Sequence, residues 1–215
     1  MSVPDLLETG ADWAGAEIVV ILLHAHGQRS EELARLAAEI DSPQVRYLLP
    51  AAEGGLWFPK PIEESFEENA AMLGQSLSRI GAVLADLKAR GISQERTVLG
   101  GYSHGACVAA EYLTRNARSY GGALLLRGGQ IDIAAIGRRP GSGLLGVPVY
   151  VSGSETDTVV PVARPRGIIR TLQAGSALIR SHVFAREVGP ITGDEILAAR
   201  QLLEDVKKAA AIELE

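Results

Sequence analysis

The stretch Val98-Leu-Gly-Gly-Tyr-Ser-His-Gly-Ala-Cys-Val-Ala-Ala110 decides the fold. Thr97 to Leu99 is an apolar, β-branched run that reads as a buried strand. Gly101-Tyr102-Ser103-His104-Gly105 follows, and a small-residue helix from Ala106 to about Asn116 comes next. That is G-x-S-x-G in a strand–turn–helix context. A turn this sharp holds its serine in a strained backbone conformation, so the flanking residues must lack bulk. Ser103 Oγ is expected at the carboxyl edge of a sheet. The His104 amide is expected at a helix N-terminus, where N–H groups lack intrahelical partners and favour an anion.

Outward from this turn, strand and helix patterns alternate. Glu17 to Leu23 reads as a buried strand, exiting into His24-Ala-His-Gly-Gln28. Ser30 reads as the cap of a helix over 31–40. Val45 to Leu49 is a second strand, stopped by Pro50, and residues 51–61 form a loop carrying exposed-type aromatics, Trp57 and Phe58. Phe66, Leu73, Leu77, Ile80, Leu84 and Leu87 make one stripe of a long helix ended by Gly91. Gly122 to Leu126 and Val147 to Val151 are further strands. A helix runs from Pro161 to about Gln173, the last strand covers 177–185, and Thr192-x-x-Glu195 is a capping box for a final helix over 193–211. Residues 1–16 add at most a short edge element. The alternation implies an α/β fold with a mostly parallel central sheet and helices on both faces. Ligands of such sheets sit at the carboxyl ends of the strands, where all of these motifs fall.

Length and composition narrow the function. The chain has 215 residues, which suits one domain over 1–215, and a net charge of −5 with no basic stripe, which argues against nucleic acid as a partner. No apolar run is long enough to span a membrane, and no signal-peptide pattern opens the chain. The single cysteine, Cys107, allows no internal disulfide; with the missing signal it suggests a cytoplasmic protein. Cys107 itself is expected to pack against the sheet. A small-molecule substrate is the expected partner, no cofactor is called for, and exposed helices and edge strands permit a homodimer.

The elbow, the first strand exit and an Asp loop together resemble the phospholipase/carboxylesterase family of small α/β-hydrolases, relatives of acyl-protein thioesterases and dienelactone hydrolases. Leu23-His24-Ala25-His26-Gly27 is similar to the family's Leu-His-Gly-x-Gly, with Ala25 replacing its first Gly. Trp57-Phe58-Pro59 resembles its Trp-[Tyr/Phe] loop. Gly101 to Ala106 resembles its Gly-Phe-Ser-Gln-Gly-Ala, and Ser154-Glu-Thr-Asp157-Thr-Val-Val-Pro161 resembles its Asp-x-x-[Val/Ile]-Pro. The resemblance covers roughly 17–205. It implies an α/β-hydrolase fold without a large lid domain, Ser103 as nucleophile, Asp157 as triad acid, and an oxyanion hole from the amides of His26 and His104.

One departure matters. The family follows its last strand with Gly-His, but here the sequence is Gly189-Pro190, and no histidine follows His182. A serine hydroxyl needs an adjacent base. His26 and His104, expected at the rim of the oxyanion hole, are candidates for a relocated acid/base and for substrate contact. His24 reads as a hydrogen-bonded packing residue and His182 as a core or flanking one. Trp57 and Phe58 could line an acyl or aromatic pocket. Arg127 could hold a substrate carboxylate or form a salt bridge to a nearby acid such as Glu155 or Asp157. Arg164, Arg166 and Arg170 read as a solvated basic face. Three functions stay open: hydrolysis of an ester, thioester or lactone through Ser103; lyase, isomerase, cyclase or dehydratase chemistry using the same oxyanion donors; or ligand binding without turnover. A metal bound by His24 and His26 is disfavoured, since two ligands are too few.

Overall fold

The computed structural model describes residues 5–62, 64, 66–132, 140–186 and 191–212. Seven strands form one sheet: β1 (Leu6–Gly10), β2 (Ile18–Leu23), β3 (Val45–Pro50), β4 (Thr97–Tyr102), β5 (Gly122–Leu126), β6 (Pro148–Ser154) and β7 (Leu178–Phe184). Their order is β1-β3-β2-β4-β5-β6-β7. Only β1 is antiparallel to its neighbour; every other pairing is parallel. The central strands read as continuous apolar runs because both sheet faces are covered. β2 is buried along its whole length.

Five helices supply that cover. On one face, α1 (Ser30–Ile40) and α5 (Gly193–Ile212) pack Leu33, Leu36, Ile40, Leu202, Leu203 and Val206 against Val20, Leu22, Val98 and Leu124. On the other, α2 (Phe66–Ala89), α3 (His104–Arg115) and α4 (Ala163–Ala174) bury Leu73, Ile80, Val108, Leu113 and Leu172 over Ile21, Leu99, Leu125 and Val151. The alternation of inward positions along each strand divides the apolar residues between these two layers. After β2 the chain winds outward to β3, then returns across β2 to β4 and continues the other way. The reversal lies between β2 and β4, and their carboxyl ends open the crevice expected of such sheets. Among the described residues no inserted subdomain covers that edge.

Two local expectations are corrected. Helix α1 is not capped by Ser30: Arg29 is the N-cap residue, its amide donates to Glu32 Oε1 at 3.3 Å, and the buried Ser30 hydroxyl has no partner among the described residues. Glu32 thus closes the N-cap amide from the third helical position, and the Glu32 amide itself donates to the Arg29 carbonyl at 3.1 Å. The Arg164/Arg166/Arg170 face is not uniformly solvated. Arg164 is buried and donates to the carbonyls of Gln130 (3.3 Å), Ile131 (2.6 Å) and Ile62 (2.5 Å), tying three segments together. Arg166 is exposed and pairs with Glu155.

Candidate active site

Ser103 closes β4 and opens α3 with φ 54° and ψ −120°. A non-glycine residue in that region stores backbone strain, which persists only where the surroundings enforce it. The enforcement is visible. Ser103 N–H donates to Leu126 O of β5 at 2.8 Å, and its own carbonyl accepts the Cys107 amide at 3.1 Å. A Cβ on Gly101 would lie 2.6 Å from the Ala106 nitrogen; one on Gly105 would lie 2.5 Å from the His24 carbonyl and overlap that of Leu23. Both glycines are therefore required by close backbone approach. The Ser103 side chain is half-buried, and among the described residues its hydroxyl bonds to no protein group.

The exit of β2 faces this turn. His24 is fully buried: Nδ1–H donates to Ala25 O at 2.7 Å, and Nε2 accepts the Ala52 amide at 3.0 Å. Both ring nitrogens are used and burial lowers the pKa, so His24 is a neutral packing residue, as expected. Gln28 folds the loop into a turn. Its N–H donates to Ala25 O at 3.1 Å, and its Oε1 accepts the Ala25 N–H at 3.2 Å. Gly27, at φ 71°, donates to Gly55 O. Ala25 has no positive φ, so the family glycine it replaces is not needed for this path. Within this framework the amides of His26 and His104 have no protein acceptor among the described residues.

Ser103, His26 and His104 line one cavity of about 640 Å³, with Ala25, Gln28, Pro59, Pro61, Tyr102, Thr158 and Val159. Tyr102 and Thr158 stand at variable positions of the motifs quoted above and Gln28 ends the β2 exit, so none is singled out by its residue type; the fold brings all three to the same cavity as Ser103. The His26 side chain is exposed. That of His104 is not at the rim but buried, its ring packed at a tilt between His26 (centroids 5.1 Å) and Phe58 (4.9 Å), with no partner for Nδ1 among the described residues. Burial and the neighbouring His26 push its pKa down to about 4, against the pull of Asp157. His104 is accordingly neutral near pH 7 and a weak base.

Asp157 lies in the loop after β6, half-buried, with Oδ1 accepting the amides of Val159 and Val160 at 2.8 Å each. Its charge reaches both His104 and Arg127. Position 190 falls outside the described residues.

Three expected contacts lie elsewhere. Trp57 and Phe58 are not exposed loop aromatics but core residues, each 1% exposed. Trp57 Nε1 donates to His24 O at 2.8 Å, and Ser76 donates to Trp57 O at 2.7 Å. Phe58 reaches the cavity only through the His104 ring. Arg127 does form a salt bridge to an acid, but the acid is Glu195 rather than Glu155 or Asp157. Its Nε and Nη2 meet Glu195 Oε1 and Oε2 at 3.1 and 2.8 Å, forming a buried bidentate pair. Glu195 also accepts the Ser152 hydroxyl (2.7 Å) and the Thr192 amide and hydroxyl (2.8 and 2.9 Å), completing the expected capping box. Burial would raise the Glu195 pKa, but these hydrogen bonds and the Arg127 charge hold it below the ordinary value. Cys107 is buried, with its thiol pushed up to about 12, which makes it inert as a nucleophile. His182, on β7, is exposed and bonds Tyr150 through Nδ1 at 3.0 Å.

Among the described residues no cluster of three metal-ligating side chains exists, and no helix is long and apolar enough to cross a membrane.

Residues 11–173 match the family model described as Phospholipase/Carboxylesterase. A phospholipase/carboxylesterase from Dyadobacter fermentans is similar at 29% identity and a TM-score of 0.86, over 93% of this chain and 96% of that one. Esterase PE8 superposes at a TM-score of 0.77 with 23% identity, over 93% and 97% of the two chains. The carboxylesterase of Bacillus cereus does so at 0.76 with 22% identity, over 94% and 93%. A search of curated proteins returns no match. With its seven-stranded α/β-hydrolase sheet and no large lid, the chain belongs to the phospholipase/carboxylesterase family.

Proposed function

We propose that the cavity hydrolyses a small carboxylic ester, thioester or lactone through Ser103. The observation that carries this reading is the strained Ser103, enforced by Gly101 and Gly105, beside two unpaired amides on the same cavity. Ser103 Oγ adds to the substrate carbonyl carbon while the carbonyl π pair moves onto oxygen. The N–H groups of His26 and His104 receive that oxyanion; fixed donors of this kind contribute about 3 kcal/mol each to the transition state. Collapse expels the leaving group and forms an acyl-enzyme, which water then hydrolyses.

The base is the weakest part of the usual machinery here. Of the two candidates, the reading assigns it to His26. That side chain is exposed at the cavity, whereas the His104 imidazole is buried and its basicity is depressed. His26 accepts the Ser103 proton and returns it to the leaving group. Acyl transfer is tested by quenching a reaction with an activated ester and measuring intact mass. A Ser103-linked acyl adduct supports the reading; turnover that survives Ser103→Ala contradicts it.

One observation favours a second reading. The Ser103 hydroxyl has no imidazole partner among the described residues. The two amides could then stabilise an enolate, with His26 moving protons in a lyase or isomerase reaction, or could hold a ligand without turnover. Neither route forms an acyl-enzyme.

A further inference from the structure

The two edges of the sheet differ. Edge strand β1 is five residues long, bounded by left-handed backbone at Asp5 (φ 55°) and Gly10 (φ 84°), and carries Glu8 in an ion pair with Arg46. These are ordinary ways of blunting an edge. The opposite edge, β7, is longer and has no left-handed residue within it. It runs seven residues as Leu-Ile-Arg-Ser-His-Val-Phe, in unbroken register with β6, with no proline, glycine, bulge or positive φ inside it.

Its hydrogen-bonding phase is fixed. Leu178 N–H donates to Val147 O, and Phe184 O accepts the Glu155 amide, both at 2.9 Å. The backbone groups of Leu178, Arg180, His182 and Phe184 therefore face β6. Those of Ile179, Ser181 and Val183 face outward, since successive residues alternate. Three consecutive outward donor–acceptor pairs, centred on Ser181, make a template for one more strand.

The sequence of β7 matches itself about that centre. In an antiparallel pair of two copies related by a twofold axis at Ser181, Leu178 stands opposite Phe184, Ile179 opposite Val183, and Arg180 opposite His182. Each outward residue then falls in a hydrogen-bonded pair, and apolar side chains meet at both ends of both faces. Charge opposes the pairing only weakly, since the two Arg180 residues stand diagonally, about 7–8 Å apart. Arg180 is the only Asp, Glu, Lys or Arg on the strand; it shares a surface groove with Asp205 of its own chain, and no Arg180 stands directly opposite the other. Leu178 is 63% exposed in the single chain.

We infer that β7 is a homodimer interface, joining a second copy of this chain edge to edge so that one sheet continues into the next. The inference does not depend on the hydrolase reading.

The test uses Ser181 twice. Directly opposite residues in a hydrogen-bonded antiparallel pair lie about 5.5 Å apart at Cα, within the range a disulfide spans. Ser181→Cys is therefore expected to form a covalent dimer in the absence of reductant; the native Cys107 is buried and cannot. Ser78→Cys, on an exposed turn of α2, is the control and is expected to stay uncrosslinked. Ser181→Pro removes an amide that β6 does not use, so the far-UV spectrum stays near wild type while the sedimenting mass falls by half and the melting midpoint no longer rises with protein concentration. Should the proline variant fail to fold, Ser181→Lys serves instead, setting two ammonium groups opposite each other on the axis. A monomeric wild type, or a Ser181→Cys chain that crosslinks no more than the control, overturns the inference.

Discussion

Replacing Arg127 by Met keeps most of the side-chain volume and removes the charge that Glu195 depends on. Glu195 is 0% exposed, and two of its contacts come from the bidentate guanidinium at 3.1 and 2.8 Å. The remaining bonds from Ser152 and Thr192 do not neutralise a buried carboxylate. Breaking a buried pair by removing one partner costs about 3–5 kcal/mol. For a chain of this length each kcal/mol moves Tm by about 2–4 °C, so the expected fall is about 6–20 °C. The pH dependence carries a second signature. In the wild type the Glu195 pKa is held down, so its contribution is present above the ordinary carboxyl value and is lost as pH falls through the lowered one. In Arg127→Met, burial without the cation raises that pKa, and the carboxyl takes up a proton on acidification. The Tm gap between the two proteins is therefore expected to be wider at about pH 8 than at about pH 4.5, close to the free carboxyl value. Adding Glu195→Gln to Arg127→Met, which keeps the capping-box acceptor but removes the charge, is expected to recover about half of the loss. Differential scanning calorimetry across pH measures all of this. A fall in Tm of less than about 2 °C, below the effect of a single kcal/mol, would refute the reasoning.

Other perturbations separate the roles in the cavity. Gly105→Ala drives a methyl into the Leu23 and His24 carbonyls; a loss of several kcal/mol, on the order of 3, is expected by urea titration. His26→Asn keeps the backbone amide and removes the proposed base, so kcat against an activated ester is expected to fall about a hundredfold or more. His104→Gln keeps its amide too; since the imidazole is a weak base, kcat is expected to stay within about tenfold, that is, within 1.4 kcal/mol. The same variant is expected to be less acid-sensitive. The wild-type His104 pKa is lowered from 6.5 to about 4, so its folded form loses stability as pH falls from 6.5 toward 4. Removing the ring is expected to abolish up to about 3 kcal/mol of that slope, read from denaturant titrations across pH.

The sequence was most legible where geometry is local. The elbow needs a strand, two glycines and a helix in one short stretch, and the structure forms each. The Thr192–Glu195 capping box is equally local. Partners distant in sequence were not legible: Arg127 and Glu195 stand 68 residues apart, and nothing near Arg127 names its carboxylate. Trp57 and Phe58 read as exposed because loops run over the surface, yet both are core residues. Here the loop folds inward so that the indole can donate to His24 O, a contact decided by tertiary packing. Arg164 was grouped with Arg166 and Arg170 by spacing, yet its Cα direction turns it into the core, where three carbonyls converge. The burial of His104 follows from the same inward loop, since Phe58 covers it.

Reaction of the folded protein with a fluorophosphonate, followed by intact mass and with Ser103→Ala as control, tests the central claim most directly. A stoichiometric adduct on Ser103, absent from the control, is the expected result: the strained serine is activated and its oxyanion site is formed. No adduct on folded protein would contradict it and leave a cleft that holds ligands or moves protons without acyl transfer.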